Sequence, residues 1–347
     1  MQAEFNPILI TGGCGFIGTN LLDFLLKRGF TYFRIMDNLS VGRIEELEAV
    51  LTEHSRFEKR EEISKVMYTL SSSYSPAGTI VVELHVGDIR SMEDCIRATE
   101  NAAAVVHLAA QSGVPTSIEN PLFDCTTNII GTVNLLDACR ENDVNKFIFA
   151  SSGAPLGEVE PPIHEEKLPR PVSPYGASKL AGEAYCSAYY KTFGIKTVVL
   201  RFGNVYGPRS NHKSSIVAKF FKRAFEGLPL EIYGDGTQTR DFIFIEDLCN
   251  AIYLSLTKLF SSDNSVAGEI FQIATFKETT VSEIAFKIKA IIEKESGMSV
   301  NIVHADKRPS DVQRNYSDIS KAINILGYEP EYDLDDGLAV TFKAFKS

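Results

Sequence analysis

The stretch Pro7-Ile-Leu-Ile-Thr-Gly12-Gly13-Cys14-Gly15-Phe16-Ile17-Gly18 constrains this chain more than any other. An apolar run stops at a glycine-dense turn, and a helix-compatible segment, Thr19 to Arg28, follows at once. Strand, glycine turn and helix in that order let the backbone bend sharply and approach phosphates. The helix N-terminus then offers unpaired N–H groups and a positive dipole end. The spacing Gly13-x-Gly15-x-x-Gly18 matches the dinucleotide fingerprint. A second strand-like run, Tyr32 to Met36, ends in Asp37. An acid about twenty residues past the glycines can accept hydrogen bonds from an adenosine ribose 2′-hydroxyl, and it repels a 2′-phosphate. The expected cofactor is therefore NAD rather than NADP. Gly12, Gly15, Phe16, Ile17 and Gly18 would lie at its pyrophosphate, with Asn38 and Leu39 beside its adenosine.

Apolar and helix-compatible stretches alternate through the first two-thirds of the 347 residues, which predicts a doubly wound parallel α/β sheet. The strand-like runs are Ile8–Ile10, Tyr32–Met36, Thr79–Val86, Ala104–Leu108, Lys146–Ala150 and Thr197–Phe202, with helices at Met92–Thr99, Asn128–Glu141 and Tyr175–Phe193. Right-handed crossovers bring the C-terminal strand ends to one edge, where ligands of such sheets bind. Between Asp37 and Asp88 the chain is longer than one helix and one strand need. Glu45–Glu62 reads as charged helix, Ser71–Pro76 as loop, and Glu53–Ala77 as a surface insertion. After Phe202, glycine and proline turns become frequent, predicting a smaller mixed α/β C-terminal lobe. The expected division is a cofactor domain over 1–205, with 240–275 returning to it, and a substrate lobe over 206–347.

The acidic balance, 45 Asp and Glu against 35 Lys and Arg, argues against nucleic acid or an anionic membrane as partner. The six cysteines show no CxxC spacing, so reduced thiols, no metal site and a cytoplasmic protein are expected. Cys14 reads as a small filler of the turn. No leader precedes the first strand, and no apolar run is long enough for a bilayer.

Ser173-Pro-Tyr175-Gly-Ala-Ser-Lys179 carries the chemistry. Proline opens a helix, and Tyr175 and Lys179 fall one turn apart on one face. A tyrosine of pKa ~10 is a poor base at neutral pH. A nearby ammonium and a positive nicotinamide ring lower that value, so Tyr175 can take a proton from a substrate hydroxyl as hydride leaves the same carbon. Ser152, at the end of a strand, points into the crevice to hydrogen-bond the reacting hydroxyl, whereas Ser151 reads as structural. A YxxxK on its own is an ordinary surface helix pattern; downstream of the glycine turn and Asp37 it is not.

On these motifs the chain resembles the extended short-chain dehydrogenase/reductase family, specifically its nucleotide-sugar 4-epimerases. Further shared motifs are Gly87-Asp88-Ile89, His107-Leu-Ala-Ala110, Asn128-x-x-Gly-Thr-x-Asn134, Arg201-Phe-x-Asn204-Val-Tyr-Gly-Pro208, Tyr233-Gly-Asp-Gly236, Arg240-Asp-Phe242 and Arg308-x-x-Asp311. The resemblance implies that Asp88, Ile89, Leu108, Ala109 and Ala110 line the adenine and ribose side of NAD, with Asn128, Phe202 and Val205 also at the cofactor. It implies that Asn204 and Arg240 hold a diphosphate, that Arg308 reaches the phosphate and Asp311 the uridine ribose of a UDP-sugar, and that Tyr233 belongs to the substrate site. Guanidinium groups suit phosphate oxygens. A homodimer through the Asn128–Glu141 and Tyr175–Phe193 helices, serving cell-surface polysaccharide synthesis, is implied likewise.

Two departures stand out. Ala154-Pro155-Leu156-Gly157 replaces the Val-Tyr-Gly that usually follows the serine strand. Gly153 and Ala154 also stand where dehydratases carry an Asp-Glu pair, which counts against dehydration. Asn315 aligns with the wall of the sugar pocket and is small enough to admit an N-acetyl group. The expected activity is an NAD-dependent UDP-hexose 4-epimerase acting through a 4-keto sugar. The alternatives are a UDP-glucuronate 4-epimerase or decarboxylase and, from another class, a non-catalytic NAD-binding sensor or scaffold.

Overall fold

The computed structural model describes residues 7–63, 65–71, 78–307 and 312–346. Eight strands are numbered here: β1 (Ile8–Thr11), β2 (Tyr32–Asp37), β3 (Phe57–Glu62), β4 (Lys65–Ser71), β5 (Thr79–Val86), β6 (Ala104–His107), β7 (Lys146–Ser152) and β8 (Lys196–Phe202). With Glu269–Ile273 they form one nine-stranded sheet in the order Glu269–Ile273, β8, β7, β6, β1, β2, β5, β4, β3. Pairing is parallel except where β4 meets β5 and β3. The winding reverses between β1 and β6, the position at which doubly wound sheets open a crevice at their carboxyl ends.

The numbered helices are α1 (Phe16–Lys27), α2 (Ile44–His54), α3 (Met92–Thr99), α4 (Val114–Glu119), α5 (Pro121–Cys125), α6 (Gly131–Glu141) and α7 (Pro174–Phe193). Strand side chains alternate between two cores. Ile8, Ile10, Ile35, Val106 and Ile148 pack with Leu22 and Leu25 of α1 and Leu248 and Ile252 of the helix Ile245–Phe260. Leu9, Met36, Val105, Phe147 and Phe149 pack with Cys95 of α3, Leu135 of α6 and Cys186 of α7. Burial on both faces explains why these strands read as continuous apolar runs.

The segment before β5 corrects the sequence expectation. The helix ends at His54, and Phe57–Glu62 is an antiparallel edge strand rather than helix or loop. Tertiary contact overrides local preference here: the Phe57 ring meets buried Tyr68 edge-on at 5.3 Å, and β4 pairs with β5 from Thr79 to His85. The exposed charged edge keeps the sheet from recruiting another strand. Most of the expected Ser71–Pro76 loop lies outside the described residues. The expected helix from Asn128 forms, but its first turn belongs to a π-helical stretch over Thr126–Ile130 that runs on into α6.

Candidate active site

The glycine turn joins β1 to α1 at the switch point. Gly12 takes φ 68°, and a Cβ there would stand 2.8 Å from the Ala109 amide nitrogen, so the loop leaving β6 lies directly on the turn. A Cβ on Gly18 would meet the Gly12 carbonyl at 2.5 Å, which lets α1 begin against the bend. Helix α1 starts at Gly15 with no capping side chain and no acid in its first turn. By contrast, α3 and α7 are capped by Ser91 and Ser173. The N–H groups of α1 are thus left for an anion.

Asp37, at the end of β2, is buried beside this turn and accepts from the backbone N–H of Cys14 at 3.0 Å and of Leu39 at 2.9 Å. Burial raises its pKa, and the two N–H donors oppose the rise. Each carboxylate oxygen keeps a lone pair for a ribose hydroxyl. Asp88 is gripped bidentately by Arg90, at 3.0 and 2.7 Å, and takes a hydrogen bond from Asn38; the Arg90 contact is the main cause holding its pKa at about 2. Burial drives the Cys14 thiol far upward, which suits a filler and not a nucleophile.

A polar chain braces the strand ends. The Thr132 hydroxyl donates to the Asn128 carbonyl at 2.6 Å, so it accepts from His107 Nε2 at 3.0 Å. His107 Nδ1 then accepts from Thr11 Oγ1 at 2.8 Å, and Thr11 accepts from the Ala109 N–H at 3.2 Å. The imidazole is thereby assigned as neutral. Burial, helped by the Lys179 charge, lowers its pKa to about 3.

The residues Ser152, Tyr175 and Lys179 gather where β7 ends against α7. Lys179 donates to the Ala150 carbonyl at 2.8 Å, and its nitrogen stands 6.0 Å from the centre of the Tyr175 ring. The Ser152 hydroxyl bonds Tyr175, lowering the phenol pKa, yet burial outweighs it and carries the phenol up to about 12. Burial brings Lys179 down to about 8. Burial, the Ser152 bond and the Asp124 charge set the phenol value; the lowering expected from the Lys179 ammonium together with a nicotinamide ring belongs to the cofactor-bound site. The sequence reading missed Asp124, whose charge acts on both Tyr175 and Lys179. It missed Glu183 too, which takes up Ser151 at 2.5 Å and supports the structural reading of that serine.

A cleft of about 360 Å³ runs over Tyr175 and Lys179; of the two serines that end β7, Ser151 lines it and Ser152 stands beside it. Gly12, Gly15, Phe16, Ile17, Gly18, Asp37, Asn38, Asp88, Ile89, Leu108, Ala109, Ala110, Tyr175, Lys179 and Phe202 all line it. Leu39 and Val205 stand behind it, packed on the core. Asn128 does not face it; its amide is used on Gln111, Asp124 and Ser178, where it holds the β6 loop against α7. Gln111, Ser112, Phe123, Thr127, His212 and Lys213 line the cleft without having been signalled by any local motif. Tyr233 lines a separate cavity of about 330 Å³ with Asp235, Gln238, Lys307 and Gln313. Arg240 donates to the Thr239 and Val312 carbonyls, and Asn204 pairs in register with Phe242. Asn315 faces Gly153: its amide atoms lie 3.8 and 3.9 Å from where a Gly153 Cβ would be. Arg308 and Asp311 lie outside the described residues.

Uncapped helix, close-approach glycines and a carboxylate, Asp37, at the end of β2 make this the dinucleotide site of a short-chain dehydrogenase/reductase, and the residues fit NAD. The family model for the NAD dependent epimerase/dehydratase family matches residues 8–274. The chain belongs to that family. It is 34% identical over 336 residues, 95% of each chain, to a Methanocaldococcus jannaschii protein named as a candidate UDP-glucose 4-epimerase. A UDP-N-acetylglucosamine 4-epimerase from Methanobrevibacter ruminantium M1, solved with UDP-N-acetylmuramic acid, superposes with TM-score 0.81 at 28% identity over 99% of both chains. A UDP-glucuronic acid 4-epimerase from Bacillus cereus, solved with UDP-glucuronic acid and NAD, gives TM-score 0.81 at 30% identity over 98% of this chain and 99% of that one.

Proposed function

We propose that the protein is an NAD-dependent nucleotide-sugar 4-epimerase whose substrate is a UDP-hexose, UDP-glucose/galactose or UDP-N-acetylglucosamine/galactosamine. The observation that carries this reading is the grouping of Ser152, Tyr175 and Lys179 at the strand edge that holds the glycine turn.

Held at the glycine turn and Asp37, NAD would supply the hydride acceptor and donor for C4 of the sugar. The protein's own groups do the rest. Tyr175 takes the C4 hydroxyl proton and later gives it back. Ser152 hydrogen-bonds both that oxygen and the phenol. Lys179, fixed by the Ala150 carbonyl, keeps positive charge against the tyrosine ring. The phenol, at about 12 without a cofactor, needs a further positive charge beside it before it serves as a base at neutral pH.

The cavity beside Tyr233 suits the nucleotide end of the substrate, since Gln238 and Gln313 offer amides and Lys307 a charge for a uridine diphosphate. Asn204, Arg240, Arg308 and Asp311 belong to this half of our reading, as does the division into a cofactor domain (1–205 with 240–275) and a substrate lobe. Pro155 and Leu156 are buried in a short 3₁₀ turn packed against the start of α7, so the unusual loop after Ser152 fills core rather than meeting substrate. Asn315 opposite Gly153 leaves room for an N-acetyl group.

No helix among the described residues is long and apolar enough to cross a membrane, and all six cysteines are free. Both support a cytoplasmic enzyme. Leu122, Ile130, Tyr185 and Phe193 are exposed along α5, the π-turn and α7, at 73%, 48%, 41% and 50%, and support a homodimer through these helices. Light scattering of the purified chain tests the dimer.

NMR of UDP-glucose, UDP-N-acetylglucosamine and UDP-glucuronate after incubation with the protein tests the activity. Inversion at C4 in either of the first two is expected; no epimerisation of any would overturn the reading. The glucuronate arm separates the runner-up.

A further inference from the structure

The segment Gly207–Ser214 crosses the mouth of the cofactor cleft as a strap tied at both ends. On one side it is held by α1 and α2. Asn20 of α1 donates to the Pro208 carbonyl at 3.1 Å, and Arg209 forks onto both Glu53 oxygens at 2.7 Å. A tight turn follows, with the Lys213 N–H donating to the Ser210 carbonyl at 2.8 Å. On the other side, Lys213 Nζ donates to Ser112 Oγ at 3.3 Å. Ser112 lies in the loop leaving β6, the loop whose Ala109 rests on Gly12. The two anchorages therefore lie on opposite flanks of the glycine turn.

Lys213 lines the cleft and forms no ion pair with any described residue. The residues lining that cleft include no arginine and only one other lysine, Lys179, which is committed to the Ala150 carbonyl. A dinucleotide brings two negative charges to the glycine turn, where backbone N–H groups supply only partial charge. A half-buried ammonium with only a hydroxyl for company is lowered in pKa by desolvation, a cost that a bound anion would offset.

We propose that Lys213 is the cation that closes on the cofactor's pyrophosphate, so that the strap holds NAD in place as a resident group. The proposal rests on the cofactor reading of the cleft and not on the identity of the sugar.

The test uses full-length protein stripped of NAD and titrated calorimetrically with NAD, ADP and UDP, for wild type, Lys213→Gln and Lys213→Arg. The expected result is about 10- to 100-fold weaker NAD and ADP binding in Lys213→Gln, the size of a charged hydrogen bond. UDP binding should be unchanged and Lys213→Arg should recover most of the loss. Unaltered NAD and ADP affinity would overturn the proposal. So would a loss confined to UDP, which would assign the cation to the substrate's diphosphate. Equal loss of all three ligands with a lowered melting temperature would also overturn it, since Lys213 would then be structural. The readout is binding, so a protein that shows this pattern but epimerises nothing fails only the functional reading above.

Discussion

Glu183 and Arg201 form a buried, two-pronged ion pair, with Nε to Oε1 at 2.9 Å and Nη2 to Oε2 at 2.6 Å and both side chains only 2–3% exposed. Glu183 sits one turn beyond Lys179 and two beyond Tyr175 on the same face of α7. Joined to Arg201 of β8 and Ser151 of β7, it fixes how far α7 is rotated, and with it the direction of Tyr175. Glu183→Gln leaves a buried guanidinium without its counter-charge, and a loss of about 3–5 kcal/mol is expected in equilibrium denaturation. Replacing both partners with apolar residues should recover much of it. A loss under about 1 kcal/mol would mean the pair is solvated in solution.

Tyr175→Phe removes only the phenolic hydroxyl. Turnover should fall by about 10²–10⁴-fold, while melting temperature and NAD content stay at wild-type values. Undiminished turnover would remove Tyr175 from the role of base.

His107 makes acid stability predictable. Its folded pKa is lowered from 6.5 to about 3 by burial, so the unfolded chain binds a proton in that window and the native chain does not. Stability contributed by the neutral ring is complete above pH 6.5 and is lost as pH falls toward 3, with a slope approaching about 1.4 kcal/mol per pH unit. Denaturation midpoints measured from neutral to mildly acid pH should fall more steeply for wild type than for His107→Gln. Equal slopes would show that the histidine titrates normally.

The parallel half of the sheet was legible because strands buried on both faces announce themselves as apolar runs; Thr79–Val86 and Met92–Thr99 have the expected limits. The hairpin before β5 was hidden because Phe57-Glu-Lys-Arg-Glu-Glu62 is an edge strand with one apolar anchor and a partner set by tertiary pairing. The site divides in the same way. The glycine turn, Asp37 and Tyr175–Lys179 are local patterns whose spacing states their chemistry. Asp124, Glu183 and Lys213 are brought to the site by the fold, and nothing near them in the chain reports it. Asn128 shows the converse: its motif was visible, but its amide braces the β6 loop against α7 and does not face the cleft.

The backbone on either side of Asn315 is pinned. Gln313 accepts from the Thr239 N–H at 2.9 Å, Arg314 forks onto Glu278 at 2.8 and 2.9 Å, and Tyr316 accepts from the Ile163 N–H at 2.9 Å. A larger side chain at 315 therefore cannot swing away with its backbone; it must grow toward Gly153, which has no side chain to yield. Asn315→Tyr should then fill the space that an N-acetyl group at C2 would occupy. Epimerisation of UDP-N-acetylglucosamine should drop by at least about 10²-fold, and UDP-glucose, with only a hydroxyl there, should keep most of its rate. Comparing kcat/KM for the two sugars in wild type and variant checks this. An equal loss on both would place Asn315 away from C2, and an unchanged ratio would place it outside the sugar pocket.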